Sequence, residues 1–240
     1  MNRQTLEAIG YVDYTWNPLT GCLNNCGYCY GRRLAQGRLK SMYLKNMGYV
    51  LAGDPADPYA IRFWPKRLVE PTKVSTPSRI FVVDMGDLFG DLVPQQCLDD
   101  VLKIVRACSW HTFLFLTKYP WNLKRVIEWP DNSWVGVTAC NNRMAEHALY
   151  NLGRVKAPVR FISYEPMLGS LERCTGTFLR QMFKTVNWII MGPETPTVNT
   201  MSRDPWIEEV VKAADRAGVP IYMKYSMKQV YPGPFRAGFP

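Results

Sequence analysis

Arg79-Ile80-Phe81-Val82-Val83, followed at once by Asp84-Met85-Gly86-Asp87, sets the pattern of the chain. A short apolar run without polar alternation predicts a strand covered on both faces. Here the strand ends in carboxylates. The same arrangement recurs downstream. Apolar runs at 112–117, 134–138, 159–163, 187–191 and 219–224 lead into Thr117-Lys118, Thr138-Ala139-Cys140-Asn141, Ser163-Tyr164-Glu165, Gly192-Pro193-Glu194 and Lys224-Tyr225. Helical patterns fill the gaps at 94–108, 120–128, 142–150, 176–186 and 204–217. Pro94 and Pro205 sit at first turns, Asp204 suits a cap and Gly218 a stop.

Strands alternating with helices imply a parallel sheet with right-handed crossovers. A doubly wound sheet and a barrel both fit continuous apolar strands. Polar groups recurring at the C-terminal strand ends favour the second, since α/β barrels build their sites there. The expectation is therefore an α/β fold, a partial (open) parallel (β/α) barrel of about six to seven units with its site on the rim. Some rim residues also suit helix caps, Asp87 and Asp91 among them.

Upstream, residues 11–16 alternate as a short strand, which Asn17-Pro18 and Thr20-Gly21 break into a loop. That loop carries Cys22-Leu23-Asn24-Asn25-Cys26-Gly27-Tyr28-Cys29, three cysteines spaced C-x3-C-x2-C. Residues 32–47 suit one helix. Residues 48–78, rich in Gly and Pro, read as an irregular insertion with one short helix. One barrel domain is expected over 1–226, followed by a Pro/Gly-rich tail at 227–240.

Of the 240 residues, 47% are apolar and 20% charged, enough to build a core and unlike a disordered chain. No apolar run approaches the ~20 residues of a membrane helix, and the N-terminus has no signal-peptide core. No membrane association and a cytoplasmic location are expected. Net charge is +9, and residues 1–80 hold 11 Lys and Arg against 5 Asp and Glu. Arg32, Arg33, Arg38, Lys40, Lys45, Arg62, Lys66, Arg67 and Lys73 supply that excess. It suits either an anionic partner, such as a nucleotide or nucleic acid, or a solvated basic face.

Seven cysteines, three of them crowded, point to metal or redox use rather than disulfides in a cytosolic chain. Structural zinc takes four protein ligands. The loop offers three, and the histidines, His111 and His147, lie far downstream. A [4Fe–4S] cluster held by three thiolates keeps one iron open for another ligand. Cys97 and Cys108 fall in a helical pattern and read as core. Cys174 reads as structural.

The spacing, with Tyr28 just before the third cysteine, resembles the radical S-adenosylmethionine superfamily. Further segments resemble its small, often phage- or prophage-encoded branch with a Trp-Asn-Pro-x-Thr-Gly-Cys opening. They are Trp16 to Cys22, Met85-Gly86-Asp87-Leu88-Phe89, Leu116-Thr117-Lys118, residues 134–138, Ser163 to Gly169, Ile189 to Glu194 and Ala217-Gly218-Val219-Pro220. The resemblance implies that Cys22, Cys26 and Cys29 ligate a [4Fe–4S] cluster whose open iron binds S-adenosylmethionine. Reductive cleavage would give a 5′-deoxyadenosyl radical that abstracts hydrogen from a substrate. It further implies that Asp84, Met85 and Asp87 face the methionine amino group, where the superfamily usually has Gly-Gly-Glu. Lys118 would face the carboxylate, and Tyr28 would lie along the adenine. Thr138, Ser163 and Glu165 would bond the ribose or adenine, with Glu194 as a further cofactor contact. Cys140 and Glu165 are the candidate catalytic residues.

The sequence departs from that pattern at Ala139-Cys140-Asn141, where the branch carries Val-Glu-Asn, and at Pro193, where it carries Gly. A rim thiol at Cys140 has an S–H bond weak enough to donate a hydrogen atom to a product radical. Otherwise it is a small apolar filler. The expected substrate is a nucleotide or nucleic-acid base, for instance thymidine hypermodified in phage DNA within the host cytoplasm, with flavodoxin or ferredoxin as electron donor. A small metabolite or peptide substrate, or a non-enzymatic zinc-bound nucleic-acid-binding module, are the alternatives.

Overall fold

A computed structural model of the chain describes residues 1–45, 48–172, 177–194 and 204–240. Its strands are β1 (Asn2–Arg3), β2 (Tyr14–Trp16), β3 (Leu19–Thr20), β4 (Tyr49–Ala52), β5 (Ile61–Phe63), β6 (Arg79–Val82), β7 (Thr112–Thr117), β8 (Ser133–Thr138), β9 (Val159–Tyr164), β10 (Trp188–Met191) and β11 (Ile221–Met223). Its helices are α1 (Leu6–Ile9), α2 (Tyr30–Gln36), α3 (Lys40–Lys45), α4 (Pro65–Leu68), α5 (Gln95–Ala107), α6 (Asn142–Leu152), α7 (Thr177–Thr185) and α8 (Asp204–Ala217). Cys174 and the end of the helix expected over 32–47 lie outside the described residues. No helix among the described residues is long and apolar enough to cross a membrane.

The chain forms two compact units. One comprises Met1–Gln4 and Val12–Ser133, the other Thr5–Tyr11 and Trp134–Pro240. In the first, β2, β6 and β7 run parallel, with Trp16 beside Val82 and Val82 beside Phe115. The edge strand β1 pairs antiparallel with β2. The strand interiors are fully covered, as at Ile80, Phe113 and Leu114, so their side chains supply apolar burial on both faces. Helix α5 lays Leu98, Val101, Leu102 and Val105 against them, a stripe at helical spacing. Beside this sheet stands a small antiparallel one, ordered β3-β5-β4.

Two sequence readings differ from this unit. The helix expected over 32–47 is split into α2 and α3, because α2 closes at Gly37, whose N–H caps the Arg33 carbonyl. Glycine is among the costliest residues to hold inside a helix. The segment expected to be irregular, 48–78, supplies β4, β5, α4 and a short 3-10 turn. Of the helix expected over 120–128, a 3-10 turn at Pro120–Arg125 forms.

In the second unit β8, β9, β10 and β11 run parallel in sequence order. Trp188 on β10 anchors its core. Its ring packs edge-on to Tyr11, lies tilted against Phe161 and stacks on Phe239, and its Nε1 donates to the Gly238 carbonyl at 2.8 Å. The Pro/Gly-rich tail is thereby tied down. Met223 N donates to Arg236 O, Gly238 N donates to Ile221 O, and Arg236 pairs with Asp215 of α8.

Helix α6 starts at Asn141, whose side-chain oxygen accepts the Met144 N–H at 3.0 Å. Asn141→Ala leaves that N–H without its cap and is expected to cost about 1 kcal/mol. A lower urea midpoint at unchanged slope would check it.

Candidate functional site

The cysteine loop is seated by the residues that precede it. Trp16 is fully buried at the end of β2, and its Nε1 donates to the Arg67 carbonyl at 2.7 Å. Asn17 reaches across to the end of β6. Its Nδ2 donates to Asp84 Oδ1 at 2.5 Å, and its Oδ1 accepts Met85 N at 3.0 Å. Gly21 then runs beside Gly86 as a parallel bridge, with Gly21 N donating to Met85 O at 2.8 Å. A Cβ on Gly86 would lie 2.7 Å from Gly21 O, so the two glycines are what let the segments touch. The Trp-Asn-Pro-x-Thr-Gly-Cys opening is thus a strut that places Cys22 against the C-terminal end of a parallel strand.

Cys22, Cys26 and Cys29 are free and partly exposed. Asn24 sits between the first two, with N donating to Cys22 Sγ and Nδ2 to Cys26 Sγ, each at 3.4 Å. Cys29 caps α2, its Sγ accepting Arg32 N at 3.3 Å. Arg32 also donates to Cys22 O at 3.2 Å and to Asp57 at 3.3 Å. Its buried Nε has no partner among the described residues. The floor of the loop is apolar. Ala35, Tyr43, Tyr59, Trp64 and Met85 form a cluster against which Cys22 and Cys29 pack.

Burial, with Asp87 nearby, pushes the Cys22 thiol up to about 11. As a thiol it has little cause to gather with its neighbours. Among the described residues no three His, Cys, Asp or Glu side chains form a metal cage. A bound cation reverses that logic by deprotonating its thiol ligands. The donor set fits an iron–sulfur cluster. It provides three thiols on one short loop, N–H groups aimed at each sulfur, a guanidinium beside them and one unspent buried donor.

Asp84 and Asp87 differ in how they are used. Asp84 is partly exposed. Burial raises its pKa, against the lowering pull of bonds from Asn17, Thr15 and Tyr30. Asp87 is buried and spent on the scaffold. Its oxygens accept Thr117 Oγ1 at 2.7 Å, Phe89 N at 3.0 Å and Lys118 N at 2.9 Å. Burial raises its pKa too. Rather than cap a helix, it locks the end of β7 and so orients Lys118, whose Nζ lies 5.6 Å from the Tyr28 ring centre. A cavity of about 210 Å³ opens beside Cys22 and Asp87, closed by Tyr119 and Ile61 and rimmed by Leu23 and Leu92.

In the second unit, Thr138 and Ser163 end β8 and β9 side by side and are buried. Glu165 pairs with Lys224 Nζ at 2.6 Å. A Cβ on Gly192 would come within 2.9 Å of the Glu165 carboxyl, so glycine there admits this pair. Cys140 is fully buried and its thiol lies 3.7 Å from the Glu165 carbonyl. Glu194 is half-buried just beyond β10.

The basic N-terminal third divides in two. Arg32, Arg62 and Arg67 are spent internally, Arg62 on the carbonyls of Pro55, Asp57 and Ala60. Arg33, Arg38, Lys40, Lys45, Lys66 and Lys73 remain exposed. Sequence reasoning missed Tyr59, which meets Cys29 from the segment read as irregular, and Tyr119, which lines the cavity beside Cys22.

The strand-and-helix plan is shared with solved structures. Spore photoproduct lyase complexed with dinucleoside spore photoproduct is 12% identical, with a TM-score of 0.58 over 93% of this chain and 80% of that one. A double mutant of spore photoproduct lyase with bound AdoMet and dinucleoside spore photoproduct is 14% identical, with the same TM-score and coverage. The expected fold class therefore stands as an α/β fold of the partial-barrel type with a mostly parallel sheet. No curated protein matches the chain. A family model described as a protein of unknown function (DUF5131) matches residues 6–230, and the chain belongs to that family.

Proposed function

We propose that the chain is a radical S-adenosylmethionine enzyme acting on a nucleotide or nucleic-acid base. The observation that carries this reading is the C-x3-C-x2-C loop strutted onto the end of β6, with N–H donors at every sulfur. The likeness to lyases that hold AdoMet and a dinucleoside supports it.

Cys22, Cys26 and Cys29 would hold a [4Fe–4S] cluster. When bound, the cluster and S-adenosylmethionine supply a one-electron cleavage that yields a 5′-deoxyadenosyl radical. The chain's own residues bind and orient. Asp84, the less committed of the two carboxylates, would bind the methionine amino group. Asp87 braces Lys118, which would pair with the methionine carboxylate. Met85 carries the backbone contacts that fix Asp84 beside the loop. Tyr28 would contact the adenine, and Thr138, Ser163, Glu165 and Glu194 would be further contacts to the nucleoside. Cys140 is the candidate hydrogen donor to a product radical, a role that needs the Glu165 segment to open.

Anaerobic reconstitution with iron and sulfide should give a brown protein that releases 5′-deoxyadenosine on reduction with S-adenosylmethionine present. A colourless protein holding one zinc would sink the reading. For the substrate, binding of single-stranded DNA, RNA and free nucleotides should be compared at 50 and 200 mM salt. Four phosphate contacts from the exposed basic set predict a loss on the order of 10²-fold between the two. A flat response would favour a small metabolite.

A further inference from the structure

One tyrosine hydroxyl touches a proposed ligand sulfur from outside the cysteine motif, and a second tyrosine lines the cavity beside another. Tyr59 is 4% exposed and its hydroxyl lies 3.4 Å from Cys29 Sγ. Tyr119, also buried, lines the same cavity as Cys22. Neither belongs to the loop. Tyr59 comes from the segment before β5, and Tyr119 follows β7.

Tyr59 is held with unusual care. Asp57 Oδ1 accepts its backbone N–H at 2.9 Å, while Asp57 Oδ2 pairs with Arg32. The Arg32 guanidinium in turn lies 5.0 Å from the Tyr59 ring centre. One carboxylate therefore fixes both the ring and the cation over it. A cation on a phenol ring withdraws electron density and strengthens the O–H donor. Gly31 leaves room for the hydroxyl, since a Cβ there would lie 2.7 Å from it.

We infer that Tyr59 and Tyr119 are positioning residues that set the reduction potential of a cluster held by Cys22, Cys26 and Cys29. This rests on the iron–sulfur reading above. A hydroxyl facing a metal-bound thiolate donates its proton to the sulfur, since a thiolate has none to give. That bond is stronger when the cluster carries the extra electron, because the sulfur is then more negative. The donors thus stabilise the reduced form and raise the potential, one of the protein's recognised levers on such clusters. A cluster that must accept an electron while half-shielded on an apolar floor needs such help. Arg32 adds to it in the same direction.

The test is potentiometric titration of the reconstituted cluster, followed by its electron paramagnetic resonance signal, without substrate or S-adenosylmethionine. Tyr59→Phe deletes one oxygen and keeps the ring. The expected result is unchanged iron content and a potential lowered by about 59 mV, a tenfold shift in the one-electron equilibrium. Tyr119→Phe should shift it the same way, and the double variant further. Normal iron content with an unchanged potential in both single variants overturns the proposal. A wild-type protein that binds no cluster overturns the iron–sulfur reading instead. Should the Phe variants fail to fold, tyrosine is replaced throughout by 3-fluorotyrosine, a stronger donor of the same shape. The potential must then rise, and no movement overturns the proposal.

Discussion

Cys26→Ala is expected to give a stable, folded and colourless protein. Cys26 is partly exposed, and its sulfur accepts a single weak bond, from Asn24 Nδ2 at 3.4 Å. Truncating it removes no packed volume. Surface changes of this kind fall within about 0.5 kcal/mol. Its carbonyl still accepts the Cys29 N–H at 3.0 Å, so the turn survives. Metal binding is another matter, because the loop has no spare thiol. Cys97, Cys108 and Cys140 are buried elsewhere. Loss of one ligand from three should remove essentially all bound iron and all release of 5′-deoxyadenosine. Cys22→Ala and Cys29→Ala should lose iron as well, with a cost in stability. Cys22 packs into the floor, and Cys29 caps α2. Iron and sulfide analysis beside thermal unfolding of the apo-protein separates these effects. Full iron content in Cys26→Ala would show that Cys26 is not a ligand.

The strands from β6 onward were legible because each is a continuous apolar run, and such runs need cover on both faces. Around the cysteines, sequence showed what neighbours share. The three cysteines on one loop and the break at Asn17 to Gly21 are of that kind. What was hidden depends on contacts between distant segments. In Ile61-Arg62-Phe63 a charge interrupts the apolar pattern, so β5 did not read as a strand. Arg62 is nevertheless 2% exposed, because three backbone carbonyls receive its guanidinium. With β5 unseen, Tyr59 had no predicted place, and its meeting with Cys29 could not be foreseen. Asp87 has a second task that its position did not show. Its position at a strand end suggested a ligand, yet three protein donors already occupy it. The basic excess is divided, since Arg32, Arg62 and Arg67 are structural. Composition counts charges, and only tertiary structure shows which of them face solvent.

Gly21→Ala is expected to be among the most damaging single-methyl changes in the chain. Gly21 has φ +88°, a backbone conformation that alone costs alanine about 1–2 kcal/mol. The new Cβ would also lie 2.1 Å from Ala60 O and 2.6 Å from Tyr59 O. These are backbone atoms that no rotamer change can move. On the other side Gly21 is bridged to Gly86 and bonded to Met85 O, so it has no room to retreat. The two effects together predict a loss of roughly 3 kcal/mol or more, a drop of about 6–12 °C in Tm for a chain of this length. Relief must come by parting the Tyr59–Ala60 segment from the cysteine loop. Iron incorporation should therefore fall even below the melting temperature, and any cluster that forms should lose the Tyr59 contact. Gly27→Ala is the control within the same loop. A Cβ there meets nothing within 4 Å, so stability should stay within about 0.5 kcal/mol and iron content should be unchanged. A Gly21→Ala protein that melts with the wild type would mean that the loop is not seated on β6 and the Tyr59 segment as described. The strut and the Tyr59 hydroxyl contact would then fall together.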